Sequence, residues 1–124
     1  MAFRILYVED DESSFVILRD AMAMIFGKSV ELVWVPSFKV LLELQNYRNH
    51  FLILDKFFPS WDDHIKDSLT AFPDLPTVLY TADTVEQKPG LQYTKDTEGR
   101  VMMINYIWKL VLRHGGGCDV GLNR

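Results

Sequence analysis

The chain has 124 residues, 48% of them hydrophobic, with one cysteine and a net charge of −4. That suits one globular domain with a real core. It excludes an internal disulfide framework, a membrane span of about 18 apolar residues and, because the basic residues are scattered, direct nucleic acid binding by the domain. The lone Cys118 makes a reducing, cytoplasmic location the default, and Met1-Ala-Phe-Arg4 lacks the pattern of a signal peptide. His50, His64 and His114 stand apart, without zinc-ligand spacing.

Phe3-Arg-Ile-Leu-Tyr-Val8 reads as a first strand, closed by the acids Glu9-Asp10-Asp11-Glu12. Ser13 and Ser14 are candidate caps of a first helix, whose apolar positions 15, 18, 22, 25 and 26 share one face and which Gly27 stops. Val30-Glu-Leu-Val-Trp-Val35 is a second strand, and Ser37 caps a second helix reaching to about Tyr47. Phe51-Leu-Ile-Leu-Asp55 is a third strand, apolar on both faces until the aspartate. A third helix follows over about 62–72, with Ile65, Leu69 and Phe72 inward, then a fourth strand at Pro76-Thr-Val-Leu-Tyr-Thr81 and a short fifth at Leu91-Gln-Tyr-Thr-Lys95. The last helix runs from about Thr97 to Arg113 and buries Val101, Ile104, Ile107, Trp108 and Val111.

Strands alternating with helices predict a doubly wound five-stranded parallel sheet, α/β, in the order 2-1-3-4-5. Residues 1–114 form the domain, and 115–124 a flexible glycine-rich tail. The stretch between Thr81 and Lys95 is short and carries Lys88-Pro89-Gly90, so the fourth crossover helix is reduced to a turn or two. Lys88-Pro89 lies too soon after Thr81 to end a strand, which leaves Lys95 as the strand-end lysine.

In a parallel sheet the C-terminal strand ends share one rim. Glu9, Asp10, Asp55, Thr81 and Lys95 meet there, and strands one and three flank the switch point where a crevice opens. Three carboxylates in a crevice repel one another, and magnesium, a hard ion that takes a few carboxylates and keeps several waters, resolves that repulsion. A carboxylate can also act as a nucleophile toward phosphorus, with lysine and threonine binding the phosphoryl oxygens. Taken singly each residue has a bland reading: a solvated strand-end acid, the negative first turn of a helix, a β-branched strand residue, a surface lysine. That reading does not require all of them to sit at C-terminal strand ends.

Leu6-Tyr-Val-Glu-Asp10, Leu52-Ile-Leu-Asp-Lys-Phe-Phe-Pro59, Thr77-Val-Leu-Tyr-Thr-Ala82 and Lys95 resemble the receiver domain of two-component response regulators over residues 3 to about 114. The resemblance implies a flavodoxin-like, CheY-like domain whose phosphoacceptor is Asp55. The donor would be a sensor histidine kinase or a histidine phosphotransfer protein. Asp10 would bind Mg2+ directly, Glu9 would assist through water, and the Phe57 carbonyl would add a third protein ligand. Thr81 and Lys95 would bind and sense the phosphoryl group, and Ala82 would leave room for it. It further implies a phosphorelay protein that signals to a downstream protein target, with no turnover enzyme activity and no membrane; a homodimer is left open. Phe57 beside Asp55 predicts a slowly decaying phosphoryl state.

Departures from the family pattern cluster away from the acceptor. Asp63 stands where a glycine is usual, Asp96 replaces the proline after the lysine, and Gln92, beside Tyr93, replaces the switch aromatic. Gln92, Asp96 and the short fourth-helix region favour the alternative of a pseudo-receiver, an interaction module of the same fold that does not use phosphorylation. A hydrolase of the aspartyl-phosphate type would need a second acid at position 57 and is set aside.

Overall fold

The structure, a computed structural model, describes residues 2–55, 70–82 and 91–114. Five strands, β1 (Phe3–Val8), β2 (Val30–Val35), β3 (Phe51–Leu54), β4 (Thr77–Thr81) and β5 (Leu91–Thr94), form one parallel sheet in the order β2-β1-β3-β4-β5. Among the described residues, the helices with both ends described are α1 (Glu12–Phe26), α2 (Phe38–Glu43) and α3 (Thr97–His114), with a short 3-10 turn at Gly27–Ser29. The third-helix expectation reaches the described residues only at its end, and the reduced fourth crossover, Asp63, Phe57, Lys88-Pro89 and the tail lie outside them.

The unbroken apolar runs are explained by two cores. Successive side chains of a strand face opposite ways, so Phe3, Ile5, Tyr7, Phe51, Ile53, Val78 and Tyr80 pack toward α1 and α3. Leu6, Val8, Leu52, Leu54 and Leu79 pack toward α2 and Phe72. β1, β3 and β4 are central and buried on both faces, which is why polar residues enter only at their ends.

The helices differ in detail from the sequence reading. Asp11 caps α1, accepting from the Ser13 amide at 3.3 Å, and the two serines donate their hydroxyls to Asp11 instead of capping. Helix α2, capped by Ser37, ends at Glu43 rather than near Tyr47. Its last turn tightens into i→i+3 bonds, Leu44 to Leu41 and Tyr47 to Leu44. The Asn49 amide then takes the Leu44 and Tyr47 carbonyls that a longer helix would have used. Helix α3 buries Met103, Ile104 and Ile107 as its inner stripe, while Val101 and Trp108 are 52% and 45% exposed. Ile25 of α1 is likewise exposed, and its neighbour Phe26 turns inward.

The join between β5 and α3 is tight. Asp96 accepts from the Gly99 amide at 2.7 Å and from the Thr94 hydroxyl at 2.9 Å, capping the helix and tying it to the strand end. An acid after Lys95 therefore starts the helix where a proline would otherwise stand. A Cβ on Gly99 would lie 1.9 Å from the Thr94 carbonyl oxygen, so no side chain fits.

At the opposite end of the sheet, His50 and Arg4 form a closed pair. The His50 amide donates to the Arg4 carbonyl, and the Arg4 amide to His50 Nδ1, both at 2.9 Å. An accepting Nδ1 places the ring proton on Nε2, which is buried without a hydrogen-bond partner among the described residues. Two of the histidines that stand apart in sequence come together, the His114 ring lying 4.2 Å from that of His50, with the Phe3 ring 5.3 Å from His50 and 5.4 Å from His114. Burial, followed by the charges of His114 and Arg48, holds His50 below the usual histidine range.

Two measurements check these contacts. Gly99→Ala should destabilise the fold by about 2 kcal/mol or more, as forced overpacking does, read as a fall in the denaturant midpoint. The folded state binds fewer protons at His50 than the unfolded state, so the stability it contributes is present above about pH 6.5 and is lost as pH falls through the lower folded value. Thermal melts should show that acid loss, and His50→Asn, which keeps an acceptor opposite the Arg4 amide but does not titrate, should reduce it.

Candidate functional site

The strand register fixes which ends face each other. Val8 pairs with Leu54, so Glu9 and Asp55 emerge side by side, and the Asp55 amide donates to the Val8 carbonyl at 3.1 Å. Thr81 pairs with Thr94, which brings Lys95 to the same rim. The lysine crosses the gap: its Nζ donates to Asp55 Oδ2 at 2.7 Å and to Glu9 Oε1. Glu9 is 1% and Asp55 5% exposed. Thr81 is buried at the end of β4, Ala82 is exposed just beyond it, and Asp10 is exposed on the rim next to Glu9.

Glu9 is held from every side. The Tyr7 hydroxyl donates to its Oε1 at 3.0 Å, the Asp11 amide to its Oε2 at 3.1 Å, and the Trp34 indole N–H to its carbonyl at 2.6 Å. Neither Tyr7 nor Trp34 stands out as functional in the sequence. The usable signal for Tyr7 is a hydroxyl in an otherwise aliphatic strand, two positions before an acid and therefore on the same face. For Trp34 the signal is its place at the end of the strand that neighbours β1, where an indole can reach the rim.

Three carboxylates and one ammonium are crowded at this rim. Burial raises the Glu9 carboxyl above its usual range; Asp55 adds to this, and the Lys95 and Asp11 bonds oppose it. Burial and then Glu9 raise Asp10. Lys95 is opposed by burial, but the bonds to Asp55 and Glu9 outweigh that and raise it, so it stays charged. Burial, then the Glu9 charge, keeps Tyr7 protonated as a donor.

Does this donor set suit magnesium? Among the described residues no three potential ligands converge as a ready-made cage, because Glu9 and Asp55 direct oxygens at Lys95. Magnesium needs no cage; one or two carboxylates with waters suffice. Asp10, exposed on the rim next to Glu9, would supply one such carboxylate. Phe57, whose carbonyl is the expected third ligand, lies outside the described residues.

Gln92 and Tyr93, two of the expected switch candidates beside Thr81, separate. Tyr93 packs toward α3, its ring 6.5 Å from that of Tyr106, on the face of Tyr80. Gln92, the residue before it, faces the other way and shares the Thr81 side of the sheet.

No protein-family model matches the chain, and neither does any curated relative. Solved structures match over most of its length. A CheY-like response regulator receiver domain from Methanospirillum hungatei is 16% identical, with a TM-score of 0.69, covering 89% of this chain and 94% of that one. The signal receiver domain of an HD domain-containing protein from Pseudomonas fluorescens is also 16% identical, at 0.67, covering 93% and 99%. A response regulator receiver domain from Bacillus halodurans matches at 16% and 0.62, covering 86% and 97%. The chain has the receiver fold.

Trp34 touches Glu9 directly and so reports on the site. Magnesium added to the protein should change tryptophan emission, and Trp34→Phe should remove that change while Trp108→Phe leaves it.

Proposed function

We propose that the chain is a receiver that accepts a phosphoryl group on Asp55 and signals through protein contacts. The observation that carries this is Lys95 bonded to both Asp55 and Glu9 at the switch point, with Asp10 open beside them. Asp55 supplies the nucleophile. One of its carboxylate oxygens forms a bond to phosphorus as the phosphorus–nitrogen bond of a phosphohistidine donor breaks. The electron pair leaves with the imidazole nitrogen, which takes up a proton.

Such a transfer depends on positioning and charge neutralisation more than on covalent help. Magnesium held by Asp10 and Asp55, with Glu9 assisting, would supply the positive charge that lets an anion enter this acidic rim. Lys95 is placed for the developing phosphoryl oxygens. Its bond to Glu9 keeps it at the site when the oxygen it now shares with Asp55 becomes esterified. Thr81, buried at the end of β4 and backed by Ala82, is the second expected contact to those oxygens.

The partners that follow are a histidine kinase or phosphotransfer protein upstream and a protein target downstream. Thr81 and Gln92, on one face of the sheet, are the positions from which a conformational response would start.

Incubation with magnesium and a small phosphodonor should add one phosphate-sized mass, lost in Asp55→Asn and strongly reduced in Lys95→Ala. A chain that gains no mass while melting normally would be a pseudo-receiver instead.

A further inference from the structure

A cleft of about 210 Å3 opens beside the rim on the α1 and α3 side, lined by Ser14, Ile17, Tyr80, Lys95 and Arg100. It carries two cations, two hydroxyls and no carboxylate, in a chain whose net charge is −4. The cations are not equivalent. Lys95 already serves Asp55 and Glu9. Arg100, half-buried on the first turn of α3, has no carboxylate within ion-pair distance among the described residues.

Two acids of the neighbouring segments are committed elsewhere. Asp96 is held by the Gly99 amide and the Thr94 hydroxyl, and Asp11 by Ser13 and Ser14. Tyr80 and Arg100 line the cleft together, and burial raises the Tyr80 hydroxyl so that it stays protonated, with Arg100 acting against that rise. Tyr80 can therefore accept from Arg100 and turn its own proton into the cleft. A planar guanidinium beside a hydroxyl donor and a second ammonium is a donor set for a small oxyanion.

We propose that this cleft binds a small tetrahedral oxyanion, with inorganic phosphate as its simplest member, on Arg100, Tyr80 and Lys95. The site is separate from Asp55 and needs no metal. It shares Lys95 with the acceptor site, so an oxyanion bound there competes with Asp55 and Glu9 for the ammonium. Occupancy of the cleft thereby sets how firmly Lys95 is held at the acceptor. The binding reading does not depend on phosphoryl transfer, although its regulatory consequence rests on that proposal.

The two can be separated by leaving magnesium out. In EDTA the three rim carboxylates repel an anion, so phosphate binding by the whole chain reads the cleft alone. Calorimetric titration with inorganic phosphate at constant ionic strength should give saturable binding. Arg100→Gln should weaken it about tenfold, the loss expected for a charge-assisted hydrogen bond, and Arg100→Lys should restore part of it. Asp55→Asn should retain the site. Absence of saturable binding, or equal binding by the wild-type chain and Arg100→Gln, would overturn the proposal whatever the phosphodonor experiment shows.

Discussion

One ammonium shared by two buried carboxylates organises this molecule. Lys95 comes from the last strand, Asp55 from the central one and Glu9 from its neighbour, so the bonds tie β1, β3 and β5 together across the open rim. In a medium of low dielectric each buried charge is costly alone and tolerable only when paired. The pairing here is incomplete, because Asp10 adds a third carboxylate beside a single cation. The site therefore holds together as folded and still has a standing demand for positive charge. That combination suits a centre that must receive something.

The sheet dictates this arrangement. Parallel strands buried on both faces can place polar groups only where they leave the core, and all five leave on one side. A reader of the sequence can see that much: the apolar runs that stop at Glu9, Asp55 and Thr81, and the alternation of strand and helix, give strand order and rim together. The fold match to receiver domains extends the same picture across most of the chain.

What was not legible depends on distance in sequence or on a side chain's local alternatives. Tyr7 is an ordinary strand aromatic until Glu9 is known to be buried above it. Trp34 becomes part of the site only once β2 is laid beside β1. His50 and His114 meet because α3 returns to the foot of the sheet. On α3, Ile104 and Ile107 face inward as their spacing predicts, while Val101 and Trp108 do not, because composition alone does not say which edge of an apolar stripe meets the sheet. The shorter α2 reflects Asn49, whose amide competes for carbonyls in a way that periodicity does not reveal.

The joint between β5 and α3 has a mechanical meaning. From Thr94 to Gly99 the chain is pinned by the Asp96 cap and by a glycine against a carbonyl, leaving no slack between Lys95 and the start of an 18-residue helix. The backbone at Lys95 is thus fixed to the start of α3, while its four-carbon stem leaves the ammonium free to reorient. The far end of the helix, at His114, rests against Phe3 at the foot of the sheet. One continuous helix therefore joins the acidic rim to the aromatic cluster at the opposite end of the sheet.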